Sequence, residues 1–132
     1  YHIREQDVFN KALELYARAQ KIEPNSFLLA ADVARTYYGI RPLRTNVALS
    51  AWTNAYSLAR DDIERQGVQV HFARLKWLAG RTNEARGHLE AITNQMYADL
   101  KERITANLNS PPPDWSTAPS ANKQYEPAAV KP

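Results

Sequence analysis

The chain has 132 residues, no cysteine and a formal net charge of +3. That length fits one domain, and the missing thiols exclude a disulfide framework, a thiolate zinc site and cysteine-linked haem. No apolar run is long enough to span a bilayer as a helix. The mild basic bias of the first half, partly in Arg41, Arg44 and Arg60, is weaker than the stripe of a nucleic-acid binder.

The first predicted helix covers residues 3–22. Ala12, Tyr16 and Ala19 share one of its faces at i, i+4 and i+7. Ile3, Val8, Leu15 and Ile22 make a further apolar stripe. Pro24 ends the helix, because it has no amide donor and disfavours helix at Glu23 before it. A second helix is expected over residues 27–39, capped by Asn25 or Ser26, with Leu29, Val33, Ala34 and Tyr37 on its apolar face. Pro42 forces an irregular connection over residues 40–44. The third helix carries Ala48, Trp52 and Ala55. The fourth runs over residues 62–79, opened by Asp61 and Glu64 at capping-box spacing and closed by Gly80. Thr82 then caps a helix carrying Ala85, Leu89 and Ile92. Met96, Leu100, Ile104 and Leu108 continue by steps of four, which reads as one long final helix or a bent pair. From residue 109 the composition changes. Six of the eight prolines fall there, at Pro111, Pro112, Pro113, Pro119, Pro127 and Pro132. Such a segment cannot bury a core of its own, so Trp115 and Tyr125 are its candidate anchors.

One spacing recurs. Ala12, Tyr16 and Ala19 are followed by Ala48, Trp52 and Ala55, then by Ala85, Leu89 and Ile92. The small residues let a neighbouring helix approach, and the large ones fill the gap between helix pairs. A small–large–small ladder at this period is the pattern of stacked helical hairpins. Adding Pro24, the first instance reads small–x3–aromatic–x2–Ala–x4–Pro and resembles the second helix of a tetratricopeptide repeat. Ala34 with Tyr37 looks like the small–Tyr pair of that family's first helix, and Gly80 with Ala85 like its inter-helix glycine. The resemblance covers residues 8–92. The repeats are two and three residues longer than usual, Leu89 and Ile92 replace an aromatic and an alanine, and Pro24 has no counterpart near Arg60 or Tyr97. These departures put repeat boundaries in question.

The expected fold is therefore all-α. Antiparallel helical hairpins stack as a short right-handed α-solenoid over residues 1–108, and an extended Pro-rich tail follows over 109–132. A chain beginning at Tyr1 is processed or part of something longer. With Ala12–Ala19 read as a second helix, the first helix of that hairpin is missing and one apolar face stays uncovered.

Little in the sequence points to chemistry. His2, His71 and His88 are not spaced as metal ligands, and no phosphate loop or nucleophile–base motif is present. No enzyme, metal or cofactor is expected. The resemblance implies instead a protein–protein interaction scaffold, with first helices lining a groove. Arg35 and Tyr38, then His71, Arg74 and Trp77, would face it, and paired guanidinium groups beside aromatics suit a carboxylate or an extended peptide. Tyr38 and Trp77 read alternatively as hairpin core. The family's clamp for C-terminal carboxylates is not matched, since the inner faces would show Leu28, Ala31 and Asp32, then Gly67 and Val70. The expected partners are proteins, copies of the chain among them, with the tail laid across a neighbour or folded back on its own helices. A self-assembling protomer is the alternative function and an RNA-binding repeat a distant third. Membrane insertion is not expected, and the sequence assigns no compartment.

Overall fold

Helix starts and stops follow local chemistry closely. In a computed structural model that describes residues 2–116, with side chains from Arg4 onward, α1 covers His2–Ile22 and ends just before Pro24. Helix α2, Phe27–Thr36, is capped by Ser26, whose hydroxyl accepts from the Leu29 amide at 3.1 Å. A 3-10 turn at Tyr37–Gly39 closes it, so residues 27–39 are helical with a tightened last turn. Helix α3 spans Thr45–Leu58 and α4 Asp62–Leu78. Asp61 caps α4, accepting from the Glu64 amide at 2.8 Å, and the Glu64 carboxylate accepts in turn from the Arg60 amide at 2.7 Å. Gly80 takes φ +78 directly after this helix, a conformation that costs a residue with a Cβ and costs glycine little.

One expectation changes at the next elements, and one open alternative is decided. Helix α5 is Thr82–Glu90, with Arg81 rather than Thr82 at its N-cap and no side-chain cap bond. The Arg81 guanidinium instead reaches Glu84 in the first turn, at 2.9 Å. The final segment is a broken pair, because α5 stops at Glu90 and the chain re-enters helix through a 3-10 turn, Gln95–Tyr97, into α6, Ala98–Asn107. Asn94 caps that turn, its side chain accepting from the Met96 amide at 2.9 Å. Among the described residues every regular element is helical.

The chain divides into two compact units. The first holds α1, α2 and α3 together with Trp115, and the second holds α4, α5 and α6. In the first unit α1 packs on α2 and α2 on α3. Ala30, Ala31, Ala34, Ile40, Ala48, Trp52 and Ala55 are its buried apolar residues. Gln6 ties α1 to the turn after α2, donating to the Gly39 carbonyl at 3.1 Å and accepting from the Arg41 amide at 2.9 Å. The Phe9 ring occupies the space that a Cβ on residue 39 would need.

In the second unit α4 packs on α5 and both contact α6. Its core is Val70, Ala73, Ala85, Leu89, Ile92, Ile104 and Leu108, with Trp77, Tyr97 and Leu100 against it. The buried Gln66 organises the break after α5. Its Oε1 accepts from the Thr93 and Asn94 amides at 2.8 and 2.7 Å, and its Nε2 donates to Asp62 Oδ2 at 2.7 Å and Thr93 Oγ1 at 3.1 Å. The amides that leave helix at this break find their acceptor there.

The ladder residues are not equivalent. Ala48, Trp52, Ala55, Ala85, Leu89 and Ile92 are all buried, and Ile92 lies just beyond its helix. Ala12, Tyr16 and Ala19 are half-buried, and Pro24 is exposed.

Candidate protein-binding surfaces

Helix α1 presents two sides. Gln6, Phe9, Ala12, Leu13, Tyr16, Ala19 and Gln20 are half-buried, while Val8, Leu15 and Ile22 point outward with 62, 50 and 82 % exposure. These three lie at i, i+7 and i+14, in one line along the helix. The side chain of Ile3, expected in the same stripe, lies outside the described residues. Beside the line runs a row of cations, Arg4, Lys11 and Arg18, at the same seven-residue period. Ala12 and Ala19 flank it on the other side. Lys11 and Arg18 share one carboxylate, Glu14, at 3.1 and 3.5 Å. The Lys11 hydrogen bond, with both charges nearby, holds the Glu14 carboxyl below the usual carboxylate range. The other exposed large apolar side chains, Leu28, Val47, Ile63 and Met96, are spread over different elements.

Helix α6 presents an open outer face made by Ala98, Lys101, Glu102, Thr105, Ala106 and Asn109. Two of its polar residues turn their polar atoms to the protein's own backbone. Lys101 Nζ donates to the Ile92 carbonyl at 2.9 Å, and Thr105 Oγ1 donates to the Lys101 carbonyl at 2.7 Å. What they leave toward solvent is carbon.

The residues expected to line a peptide groove have mixed settings. Arg35 is exposed. It pairs with Asp32 at 3.3 Å and its guanidinium lies over the Trp52 ring at 5.8 Å. Tyr38 is half-buried and meets the edge of Trp115. In the second unit His71, Arg74 and Trp77 are half-buried. Trp77 packs against the hydrophobic core and its indole donates to the Ser110 carbonyl at 3.2 Å, so it serves as hairpin core. Two inner-face expectations are corrected. Ala31 is fully buried, and Val70 belongs to the second core, because each sits on the side of its helix that faces other helices. Gly67 is covered by the Tyr97 phenol, which donates to the Ile63 carbonyl at 2.9 Å.

Trp115 joins the first unit. Its ring covers the Arg41 guanidinium at 4.1 Å and meets Tyr38 edge-on, with centroids 6.4 Å apart. The Leu43 amide donates to its carbonyl at 2.8 Å. At this residue the tail is folded back on its own chain. The second expected anchor, Tyr125, lies outside the described residues.

Electrostatics elsewhere are local. Glu84 bonds Arg81 and Lys76, which bring its carboxyl down to about 2. Burial lowers the His88 pKa, aided by Lys76 and opposed by Glu84. Its ring contacts Phe72 and its Nδ1 lies 2.8 Å from Gln69 Oε1. Among the described residues there is no cluster of three or more His, Asp or Glu fit to hold a metal, and no helix long and apolar enough to cross a membrane.

Sequence reasoning singled out the α1 line and named Trp115 as a candidate anchor, but did not single out the Gln66 network. Gln66 had no signal, since a lone glutamine on a helix is ordinarily solvated. Comparison of the chain with protein-family models, with curated proteins and with solved structures found no match.

Proposed function

We propose that this chain is a tetratricopeptide-type helical scaffold that binds other proteins through its helix faces and its Pro-rich tail. The observation that carries the reading is the outward line of Val8, Leu15 and Ile22 on α1, at 62, 50 and 82 % exposure. A contiguous apolar strip edged by charge is a common form of protein-binding surface. The buried ladders Ala48–Trp52–Ala55 and Ala85–Leu89 support a repeated helical design, in which inner residues fix the hairpin and outer faces are free to specialise.

The test is site-specific photo-cross-linking. A photoreactive residue replaces Lys11, which lies beside the apolar line, in the full chain expressed in cells. Discrete cross-linked species that disappear when Leu15→Asp is added are expected. Their absence, or their persistence with Leu15→Asp, removes α1 as a binding face.

A further inference from the structure

The turn after α2 carries a small platform held by bonds from α1 and from the turn itself. Arg41 Nη1 donates to the Tyr38 carbonyl at 2.6 Å and to the Ile40 carbonyl at 3.1 Å, which fixes the plane of the guanidinium. The backbone beneath is fixed from α1, where Gln6 bridges the Gly39 carbonyl and the Arg41 amide at 3.1 and 2.9 Å. A guanidinium bonded along its edge still offers its flat face, and an indole is the aromatic ring that such a face attracts most. The Leu43 amide beside it is a backbone donor for a passing carbonyl. A flat cation, a tyrosine ring and one backbone donor together suit an extended peptide that carries tryptophan. The chain shows such an occupant in place. The Arg41 guanidinium carbon lies 4.1 Å from the centre of the Trp115 ring, Tyr38 meets that ring edge-on at 6.4 Å, and the Trp115 carbonyl accepts from Leu43 at 2.8 Å. This occupant can leave without unwinding a helix. Residues 111–116 are outside every helix, Trp115 is only half-buried and Ser116 is exposed. The Gln6 and carbonyl bonds that hold the platform do not depend on it.

We propose that the platform of Tyr38, Arg41 and Leu43 is a docking site for an extended, tryptophan-bearing segment of a partner protein, and that Trp115 is the chain's own competing occupant. Being tethered, Trp115 acts at an effective concentration that an outside segment must overcome. A partner does so by adding contacts to the one indole and one carbonyl that the tail supplies. The inference goes beyond the scaffold reading, since it uses neither the α1 line nor the outer helix faces. Failure of the α1 cross-linking test leaves it standing.

The experiment titrates a synthetic peptide of residues 111–116, Pro-Pro-Pro-Asp-Trp-Ser, into the nitrogen-15-labelled full chain and follows backbone amide shifts. Two chains are compared, wild type and Trp115→Ala, and circular dichroism checks that the variant keeps its helices. In Trp115→Ala the peptide is expected to shift the Tyr38, Arg41 and Leu43 amides saturably. Wild type is expected to need at least about tenfold more peptide for the same shift, because its own indole competes. The same peptide with alanine in place of tryptophan is expected to leave these amides unmoved in both chains. This control changes no residue of the protein, so a folding defect cannot imitate it. Adding Arg41→Lys to Trp115→Ala keeps the charge, removes the flat face and is expected to weaken peptide binding severalfold. No saturable shift in Trp115→Ala at about millimolar peptide, the order of the tether's effective concentration, overturns the proposal. So do equal titrations of wild type and Trp115→Ala, equal binding of the alanine peptide, or shifts confined to α4 and α5. Sedimentation velocity covers the remaining occupant. Wild-type dimers that grow with concentration and vanish in Trp115→Ala assign the site to the tail of a second copy, and overturn the proposal of a different partner.

Discussion

The Gln66 carboxamide makes four hydrogen bonds from a position only 6 % exposed. Two go to the Thr93 and Asn94 amides, which have left helix α5 and lack its carbonyls as acceptors. Replacing Gln66 by Leu keeps the volume roughly and removes that acceptor. A loss of about 1–3 kcal/mol is expected from the unsatisfied amides, read by urea denaturation. An unchanged midpoint would mean that water serves the break equally well. His88 gives a second test at this scale. Its pKa is lowered in the folded chain, first by burial and then by Lys76. In the pH range below its ordinary value the unfolded state therefore binds the proton more readily than the folded state. The histidine contribution is absent at neutral pH and becomes destabilising as pH falls through about 6.5, the ordinary histidine value. The melting temperature is expected to drop between pH 7.5 and 5.5, by less in His88→Gln. The carboxylates held low, Glu14, Glu64 and Glu84, act in a separate and more acid window. Equal drops in wild type and His88→Gln would clear His88 of the effect.

At the scale of helices the ladder gives a graded prediction. Ala48 is 1 % exposed between packed helices, so Ala48→Leu is expected to cost about 1–3 kcal/mol by overpacking. Ala12 holds the same place on α1 but is half-buried, and Ala12→Leu is expected to cost clearly less. Thermal melts of the two variants decide the point, and equal losses would contradict the difference in packing. This contrast also shows which parts of the fold were legible. Helix limits at Pro24, Ser26, Asp61 and Gly80 were readable, because a missing amide, a capping side chain and a positive φ act locally. The exposed α1 line was readable from its period. Period failed at residues 91–97. Met96, Leu100, Ile104 and Leu108 continue the helical step, yet helix stops at Glu90 because Gln66, 27 residues before Thr93 in the chain, and the Asn94 cap hold another path. Sidedness was also ambiguous wherever a helix packs on more than one side. Ala31 and Val70 were therefore placed on a face that the packing fills, and Trp77 was left between groove and core. Burial of an alanine or a tryptophan on such a helix depends on distant partners, and the local pattern does not carry that information.

For the whole chain the notable dependence is non-local. Arg41 and Leu43 are served by Trp115, through a guanidinium–indole contact at 4.1 Å and an amide–carbonyl bond of 2.8 Å. The first unit is thus completed by a residue that follows α4, α5 and α6 in sequence. A chain ending at Asp114 keeps the Ser110 carbonyl that accepts from Trp77, and keeps the second core intact. It loses the indole over Arg41 and Tyr38 and the acceptor for the Leu43 amide. Stacking of a guanidinium on an indole is worth roughly 0.5–2 kcal/mol, and the amide bond adds about 1. Native-state hydrogen exchange on this truncation and on Trp115→Ala then makes a directional prediction. Amides around Leu43 and in α2 and α3 should exchange faster, by up to about a hundredfold in the truncation for a loss near 3 kcal/mol. Those of α4 and α5 should keep wild-type protection. Trp115→Ala retains the backbone carbonyl and should fall between. The pattern runs against sequence proximity, since the cut lies near α6 and far from α2. Faster exchange in α5 and α6 with the first unit unchanged would show that residues from 115 onward serve their sequence neighbours instead, and that the Trp115 contacts carry no weight in the folded chain.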